Sequence, residues 1–267
     1  MNHPMHVTSA GAGDPVLLLH SGGMSSRQWR RLMDYLEPSY RVLAPDFLGS
    51  GENPLWPDDE PFHFQNDVEA VERVVAGLSM PVHIVGHSYG GFIALTIAQR
   101  HPAVIRSIAV YDPVAFGVLY DPEDAEALAE LRRTETDPVW TDAVHGGGPA
   151  WMEAFVDFWN GPGSWGMLPP VTQESFLRVG KKVYGEVSTL LRDRTGRAAY
   201  GAVTAPALLL HGAKSPLAAR RVVEKLSASM PRATLHPIEG AGHMGPITHG
   251  GAVNELIARH IRAATHS

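Results

Sequence analysis

A catalytic nucleophile is suggested by the stretch GHSYGG, in which Ser88 lies between Gly86 and Gly90. The stretch follows an apolar run typical of a buried strand and precedes a run typical of a helix, which is the context that a G-x-S-x-G nucleophile elbow requires. The sharp turn holds the serine hydroxyl clear of the sheet, and the glycines let neighbouring backbone approach closely. We therefore predict that Ser88 is a nucleophile; the alternative is a small polar residue that fills a tight turn.

A base for this serine is available near the C-terminus, in the glycine-rich stretch GAGHMGP that contains His243. A serine hydroxyl is a weak nucleophile until a base removes its proton. An imidazole with an ordinary pKa of ~6.5 accepts and returns a proton near neutrality. We expect the loop after the last predicted strand to bring His243 over Ser88, although a single loop histidine is more commonly just exposed.

Backbone donors for a developing negative charge are predicted in HSGG, residues 20–23, at the end of the first predicted strand. Backbone amides aimed at such a charge form an oxyanion hole, often the largest single catalytic contribution. Because glycine allows close backbone approach, we predict Gly22 and Tyr89 as the donors, with Gly23 as a further candidate. His20 is expected to be structural, and a plain turn at the strand end is the alternative.

The elements that must position these residues alternate along the chain. Short apolar runs predict strands, and most are apolar at successive positions, as in parallel strands that are buried on both faces. Amphipathic stretches between them predict helices. This alternation predicts an α/β fold with a mostly parallel, doubly wound sheet. The predicted strands are Val16–His20, Val42–Pro45, Val82–Gly86, Ile105–Tyr111, Ala207–His211 and Ala233–Pro237.

Residues 113–202 interrupt this alternation. They show no convincing strand pattern, and their helical stretches are separated by pieces rich in glycine and proline, such as NGPGSWGMLPP. We predict that this segment is a helical lid inserted into one core domain, which residues 1–112 and 203–267 form. A lid favours a covered, mostly apolar pocket. Its candidate lining residues are Trp140, Trp151, Trp159 and Trp165.

The composition excludes several classes of function. With 22 Lys and Arg against 28 Asp and Glu, the formal net charge is −6, which argues against a nucleic-acid partner. The chain has no cysteine, which excludes disulfides, thiolate metal sites and cysteine nucleophiles. The N-terminal stretch lacks the features of a signal peptide, and no apolar run approaches the ~20 residues that span a bilayer. We expect a cytoplasmic monomer or homodimer that acts on a small molecule, without membrane contact.

Together, these motifs resemble the α/β-hydrolase superfamily over nearly the whole chain. The resemblance is carried by HSGG, APDFLGSGENP, GHSYGG, LLLHGAKSP and GAGHMGPITH. It implies an eight-stranded, mostly parallel sheet, whose first strand is expected to be missing here, with a lid after the sixth strand. Because its predicted nucleophile is a serine, the sequence is similar to the esterases, lactonases, carbon–carbon hydrolases and cofactor-free perhydrolases of the superfamily. No metal or organic cofactor is then needed.

The acid of the catalytic triad is not at its usual place. In the superfamily it normally follows the seventh strand, where this sequence has Ser215. A second arrangement in the superfamily has the acid at the end of the neighbouring sixth strand, which corresponds here to Asp112. Parallel strands lie ~4.8 Å apart, so the shift is within a side chain's reach. We expect Asp112 to orient His243. Replacement of Ser215 is then expected to change the activity very little. The alternatives to Asp112 in this role are Glu239, Asp193 and an ordered water.

The resemblance therefore implies a serine esterase that cleaves a small to medium carboxylic ester or lactone through an acyl-enzyme. One alternative is a carbon–carbon bond hydrolase for vinylogous keto acids, for which Arg132, Arg178 and Arg192 are available to hold the substrate carboxylate. Another is a cofactor-free perhydrolase. The alternative outside enzymes is a hydrolase-fold binding protein, with Ser215 as a first sign of lost catalysis.

Overall fold

A seven-stranded sheet lies at the centre of the protein, in a computed structural model that describes residues 5–266. The strands are β1 (Val7–Ala10), β2 (Pro15–Leu19), β3 (Arg41–Pro45), β4 (Val82–His87), β5 (Ile105–Tyr111), β6 (Ala207–Gly212) and β7 (Ala233–Ile238). Their order across the sheet is β1-β3-β2-β4-β5-β6-β7. Only β1 is antiparallel to its neighbour, so the prediction of a mostly parallel sheet is confirmed.

The six predicted strands are all present, and their ends differ from the prediction by at most one residue. The sequence does not predict β1, a short strand at the edge of the sheet. Its four residues, VTSA, are half-exposed or exposed, so no apolar pattern distinguishes them from a loop. The strand is placed by its pairing with β3, a contact between distant parts of the chain.

Helices cover both faces of the sheet. Those of residues 5–266 are α1 (Arg30–Leu36), α2 (Phe64–Ala76), α3 (Tyr89–Arg100), α4 (Ala125–Thr136), α5 (Pro138–Thr141), α6 (Pro149–Asn160), α7 (Ser164–Met167), α8 (Pro170–Arg178), α9 (Gly180–Leu190), α10 (Arg197–Tyr200), α11 (Leu217–Ser227), α12 (Gly245–Thr248) and α13 (Gly250–Thr265), with short 3-10 helices at Ser26–Trp29, Pro102–Val104 and Phe116–Leu119. Within that described part, none is long and apolar enough to cross a bilayer.

Alternate side chains of β2 enter two different cores. Leu17 and Leu19 pack in one core, with residues of α2, α3 and α11. Leu18 lies in the other, with residues of α1 and α13. The strand is apolar at successive positions because helices cover both of its faces, as the doubly wound architecture requires. The predicted fold class is therefore confirmed.

The chain between β5 and β6 contains α4 to α10, and its only extended pairing in the described structure is an isolated bridge. This inserted segment has a small core of its own. Trp151, Met152 and Val156 of α6 pack there against Val183 of α9. The segment has the helical character that the sequence predicts for residues 113–202. Its function as a lid stays a prediction.

The parallel arrangement positions the candidate catalytic residues. Parallel strands end at the same edge of a sheet, and ligands of open α/β folds bind at that carboxyl edge. His20 follows β2, Ser88 follows β4 and Asp112 follows β5, and these three strands are neighbours or next neighbours in the sheet. Residues that are far apart in the sequence thus meet at one edge.

Candidate active site

Ser88 lies in a tight turn between β4 and α3. Its backbone has φ 54° and ψ −117°, a conformation that non-glycine residues rarely adopt. A side chain at Gly86 would clash with the backbone of Gly90, and one at Gly90 with the backbone of Leu19, so the turn requires both glycines. The Ser88 N–H donates to the Tyr111 carbonyl at 2.9 Å. The serine is thereby fixed at the carboxyl edge of the sheet.

The loop between β7 and α12 carries His243 to this turn. Its Nε2 lies 2.9 Å from Ser88 Oγ, within hydrogen-bond distance. Two side chains at the ends of neighbouring strands hold the backbone of the loop. His87 Nε2–H donates to the His243 carbonyl at 2.8 Å, and the Tyr111 hydroxyl donates to the Gly242 carbonyl at 2.8 Å. The imidazole is therefore positioned from β4 and β5.

Asp112 directly follows β5 and reaches the other imidazole nitrogen. Its Oδ2 lies 3.1 Å from His243 Nδ1. With φ 43°, Asp112 shares with Ser88 a positive φ that no other non-glycine residue of residues 5–266 has. The structure thus brings the three predicted residues together as a hydrogen-bonded chain, Ser88–His243–Asp112. The other two candidate acids lie elsewhere: Glu239 is exposed, and Asp193 accepts hydrogen bonds within its own loop.

Ser215 contacts Asp112. Its hydroxyl donates to Asp112 Oδ2 at 2.6 Å, and this is the same oxygen that faces His243. A hydrogen bond to a carboxylate stabilises its charged form. Ser215, at the usual acid position, therefore stabilises the charged form of the predicted acid, and we revise the expectation that replacing Ser215 changes activity very little.

Burial governs the ionisation of the acid and the base. Burial raises the pKa of Asp112 to about 7, and the hydrogen bond from Ser215 opposes this effect. Burial also lowers the pKa of His243 to about 3. The imidazole is consequently neutral at pH 7, which is the form that accepts a proton.

The two predicted oxyanion donors, Gly22 and Tyr89, line the same cavity as Ser88. Tyr89 is the first residue of α3, so its N–H has no acceptor within the helix. The loop of Gly22 is held by His20, which has the structural position that the sequence predicts. One of its ring nitrogens bonds the neighbouring carbonyl at 2.7 Å, and the other accepts the Phe47 N–H at 3.0 Å. Both residues thus lie beside Ser88, and their role as oxyanion donors stays a prediction.

Most of the chain matches a known family of proteins. The family model described as alpha/beta hydrolase fold matches residues 14–250. The chain belongs to this family. The resemblance that its motifs predict is confirmed, and so is the expectation that the protein is a hydrolase enzyme.

Relatives of this α/β-hydrolase carry hydrolytic activities in their names. Pimeloyl-[acyl-carrier protein] methyl ester esterase of Chromobacterium violaceum is 25% identical over 260 residues, which cover 96% of this chain and 98% of that protein. 2-Hydroxymuconate semialdehyde hydrolase of a Pseudomonas species is 34% identical over 138 residues, 46% of this chain and 47% of that protein. A thermophilic esterase from Thermogutta terrifontis has a similar fold, with a TM-score of 0.73 and 20% identity over 97% of this chain and 93% of that one.

The cavity of this α/β-hydrolase beside Ser88 is mostly apolar. The space between its lining atoms amounts to about 510 Å³, a figure that includes open solvent at its mouth. Trp140 and Trp159 of the inserted segment line it. Trp151 and Trp165 instead belong to the small core of the segment or pack against it. Two of the four tryptophans named from the sequence therefore face the candidate substrate space.

Trp159 also covers the imidazole of His243. The two rings stack with their centroids 3.8 Å apart and their planes 20° apart. From the sequence, Trp159 is only a candidate lining residue of a pocket, and no pattern indicates a contact with His243. The contact exists only because the inserted segment folds back over the carboxyl edge of the sheet.

Glu186 is the one acidic or basic residue among the described residues that line the cavity. The sequence gives a misleading signal here, because Lys182 and Glu186 have the i, i+4 spacing of an ordinary exposed helix pair. Both side chains are buried, with 2% and 3% of their surface exposed. Burial raises the pKa of Glu186 to about 7; Lys182 lowers it and Asp67 raises it further.

Proposed function

We propose that the protein is a serine esterase, which hydrolyses a small to medium carboxylic ester or lactone through an acyl-enzyme. The observation that carries this proposal is the hydrogen-bonded chain from Ser88 through His243 to Asp112, beside a mostly apolar cavity. A hydroxyl with a base in hydrogen-bond contact, and a third group that orients the base, is the arrangement of nucleophilic acyl transfer. The proposed reaction uses no metal and no organic cofactor.

In the first half of the reaction, Ser88 Oγ attacks the carbonyl carbon of the substrate while His243 Nε2 takes the hydroxyl proton. Asp112 accepts the hydrogen bond of Nδ1–H and stabilises the imidazolium. The N–H groups of Gly22 and Tyr89 stabilise the negative oxygen of the tetrahedral intermediate. The imidazolium then protonates the departing alkoxide, and the acyl group remains bound to Ser88.

In the second half, one water molecule replaces the alcohol. His243 takes a proton from this water, whose oxygen attacks the acyl carbon, and the same oxyanion donors act again. Collapse of the intermediate breaks the bond to Ser88 Oγ, which regains its proton from the imidazolium. An ester thus gives an acid and an alcohol, and a lactone gives one hydroxy acid.

The lining of the cavity favours an ester over the vinylogous keto acid of a carbon–carbon hydrolase. Such a substrate carries a carboxylate, which requires a cation in the site. Arg132, Arg178 and Arg192 are not among the described lining residues, and Glu186 is. A carboxyl group at that place disfavours an anionic substrate by like-charge repulsion. The Chromobacterium violaceum relative is named as a methyl ester esterase, which supports the same choice.

A chain-length series of chromogenic esters, measured on the wild type and on Ser88→Ala, tests the proposal. We expect saturable hydrolysis by the wild type, with a preference for acyl chains that fit the apolar cavity. Ser88→Ala is expected to fall to the rate of the uncatalysed background while its circular dichroism spectrum is unchanged. Equal turnover by the folded variant would show that Ser88 is not the nucleophile, and faster cleavage of a vinylogous keto acid than of any ester would favour the carbon–carbon hydrolase.

A further inference from the structure

A buried group of charged side chains lies under the candidate oxyanion hole. Asp67 belongs to α2, and Lys182 and Glu186 belong to α9 of the inserted segment. Lys182 Nζ donates to Asp67 Oδ2 at 2.9 Å and makes a very short contact with Glu186 Oε1. At most 3% of each of these side chains is exposed. One cation thus lies between two carboxyl groups in the interior of the protein.

Both carboxylate oxygens of Asp67 accept hydrogen bonds from other groups of the protein. Its Oδ1 accepts the Leu48 N–H at 2.9 Å, and its Oδ2 accepts the Tyr89 hydroxyl at 2.8 Å in addition to Lys182. Asp67 and Lys182 therefore form a neutral, hydrogen-bonded pair. Lys182 also lies 4.7 Å from the ring centre of Phe62, a cation–π contact that holds it in place. Glu186 is then the carboxyl group in excess of the available cation.

The second oxygen of Glu186 faces the cavity. Oε1 is used by Lys182, whereas Oε2 has no hydrogen-bond partner among residues 5–266. Glu186 lines the cavity together with Gly22 and Ser88, and a β-carbon placed on Gly22 would lie 2.6 Å from Oε2. A carboxyl oxygen without a partner in an apolar space is costly, and a ligand that supplies a donor removes that cost.

The position of His243 indicates which part of the substrate meets Glu186. His243 protonates the leaving alcohol in the proposed reaction, so the alcohol must lie on the side of the imidazole. Trp159 lines both the cavity of Glu186 and a neighbouring surface depression, whereas His243 lines only the depression. The cavity is therefore the place of the acyl chain.

We propose that Glu186 is a specificity-determining residue, whose Oε2 binds a hydrogen-bond donor on the acyl chain of the substrate, a hydroxyl or an ammonium group a few bonds from the reacting carbonyl. Hydroxyacyl and aminoacyl esters are then preferred over plain alkanoyl esters, and acyl chains that carry a carboxylate are rejected. This inference rests on the proposed esterase function and names the substrate class of the same site.

Four methyl esters of similar size test the proposal through proton release at pH ~8, above the pKa of Glu186: butanoate, 3-hydroxybutanoate, protonated β-alaninate and hydrogen succinate. For the wild type we expect kcat/KM for the hydroxyl and ammonium esters to exceed that for butanoate by about tenfold, the worth of one hydrogen bond to a charged group. The succinate ester is expected to be cleaved about tenfold more slowly than butanoate.

Two substitutions separate the hydrogen bond from the charge. Glu186→Gln keeps an acceptor oxygen, so we expect the preference for the hydroxyl ester to survive and the preference for the ammonium ester to fall about tenfold. Glu186→Leu removes both preferences and leaves Lys182 paired with Asp67. Glu174→Gln is the matched control, because Glu174 is exposed on α8 of the same inserted segment and does not line the cavity. Ratios between substrates are used because partial unfolding of a variant cancels in them.

The outcomes are distinguishable. Ser88-dependent hydrolysis with equal kcat/KM for butanoate and the two donor-bearing esters overturns the role of Glu186 and leaves the esterase function standing. The same holds if the preferences exist but neither Glu186 variant changes them. If no ester in either series is hydrolysed in a Ser88-dependent way, the proposed function fails and this inference fails with it.

Discussion

Ser215 and Asp112 share one short hydrogen bond, in which the Ser215 hydroxyl donates to Asp112 Oδ2 at 2.6 Å. The two residues are 103 positions apart and follow two neighbouring strands, β5 and β6. The oxygen that receives the bond also faces His243 Nδ1 at 3.1 Å. In the predicted triad, the acid therefore lies one strand away from its usual place in the family, and Ser215, at that usual place, donates a hydrogen bond to it.

Asp112→Asn is expected to lower kcat by ~10³–10⁴ with little change in fold, because an amide can stabilise the wrong tautomer of His243 and cannot offset the charge of the imidazolium. Ester hydrolysis under saturating substrate, with the melting temperature as a check on folding, measures this effect. Near-wild-type kcat in the folded variant would remove Asp112 from the mechanism.

Ser215→Ala is expected to reduce kcat by roughly tenfold, far less than Asp112→Asn. A hydrogen bond to a charged group contributes about 1.5–3 kcal/mol, and only part of this contribution changes during the reaction. The double variant Asp112→Asn with Ser215→Asp returns a carboxylate to the end of β6 and is expected to recover part of the lost activity. A double variant no more active than Asp112→Asn alone would show that the His243 loop accepts an acid only from β5.

Strand positions and the candidate triad were predictable because they rest on local pattern. An apolar run that ends in GHSYGG predicts a strand, a turn and a helix, and the structure has β4, Ser88 and α3 there. Asp112 could be proposed because it directly follows a predicted strand. Each of these inferences needs only a few neighbouring residues and the general rule that parallel strands end together.

The contacts that the sequence does not predict join distant segments. Trp159 reaches His243 across the folded inserted segment, and Lys182 reaches Asp67 from 115 positions away. A buried charged pair on a helix has the same i, i+4 spacing as an exposed one, so spacing alone cannot tell where Glu186 faces. Only the packing of α9 against α2 decides it.

Ser88 is expected to react with a sulfonyl fluoride or an organophosphate, because the strained turn presents an activated hydroxyl to the cavity. Mass spectrometry should find one adduct per chain, on the proteolytic peptide that contains Ser88. Ser88→Ala serves as the control for labelling at other sites. Absence of an adduct on the folded wild type would favour a binding protein without catalysis.

Trp159→Ala is expected to lower kcat/KM by about two- to tenfold, since an aromatic stack contributes ~0.5–1.5 kcal/mol beyond buried area. Trp159→Phe keeps a ring over His243 and should retain most of the activity. Trp165→Ala is the matched control, because Trp165 is an aromatic residue of the inserted segment that does not line the cavity. Equal losses in Trp159→Ala and Trp165→Ala would indicate a general effect on the segment rather than on the imidazole.

The pH dependence of kcat/KM should report the ionisation of the His243–Asp112 pair rather than that of the imidazole alone. As the pH falls, the pair takes its first proton on Asp112, whose pKa burial raises to about 7, and the protonated acid cannot stabilise an imidazolium. Activity in the wild type is therefore expected to rise with pH through one ionisation near 7.

Two variants should shift this rise in opposite directions. Ser215→Ala removes a hydrogen bond that lowers the pKa of Asp112, so the rise in activity should move to higher pH. Asp112→Asn leaves only His243 to titrate, and burial lowers the pKa of His243 to about 3. The residual activity of this variant should therefore rise at lower pH than the activity of the wild type. Rate profiles from pH 4 to 9 for the three proteins test the assignment, and shifts of the two variants in the same direction would contradict it.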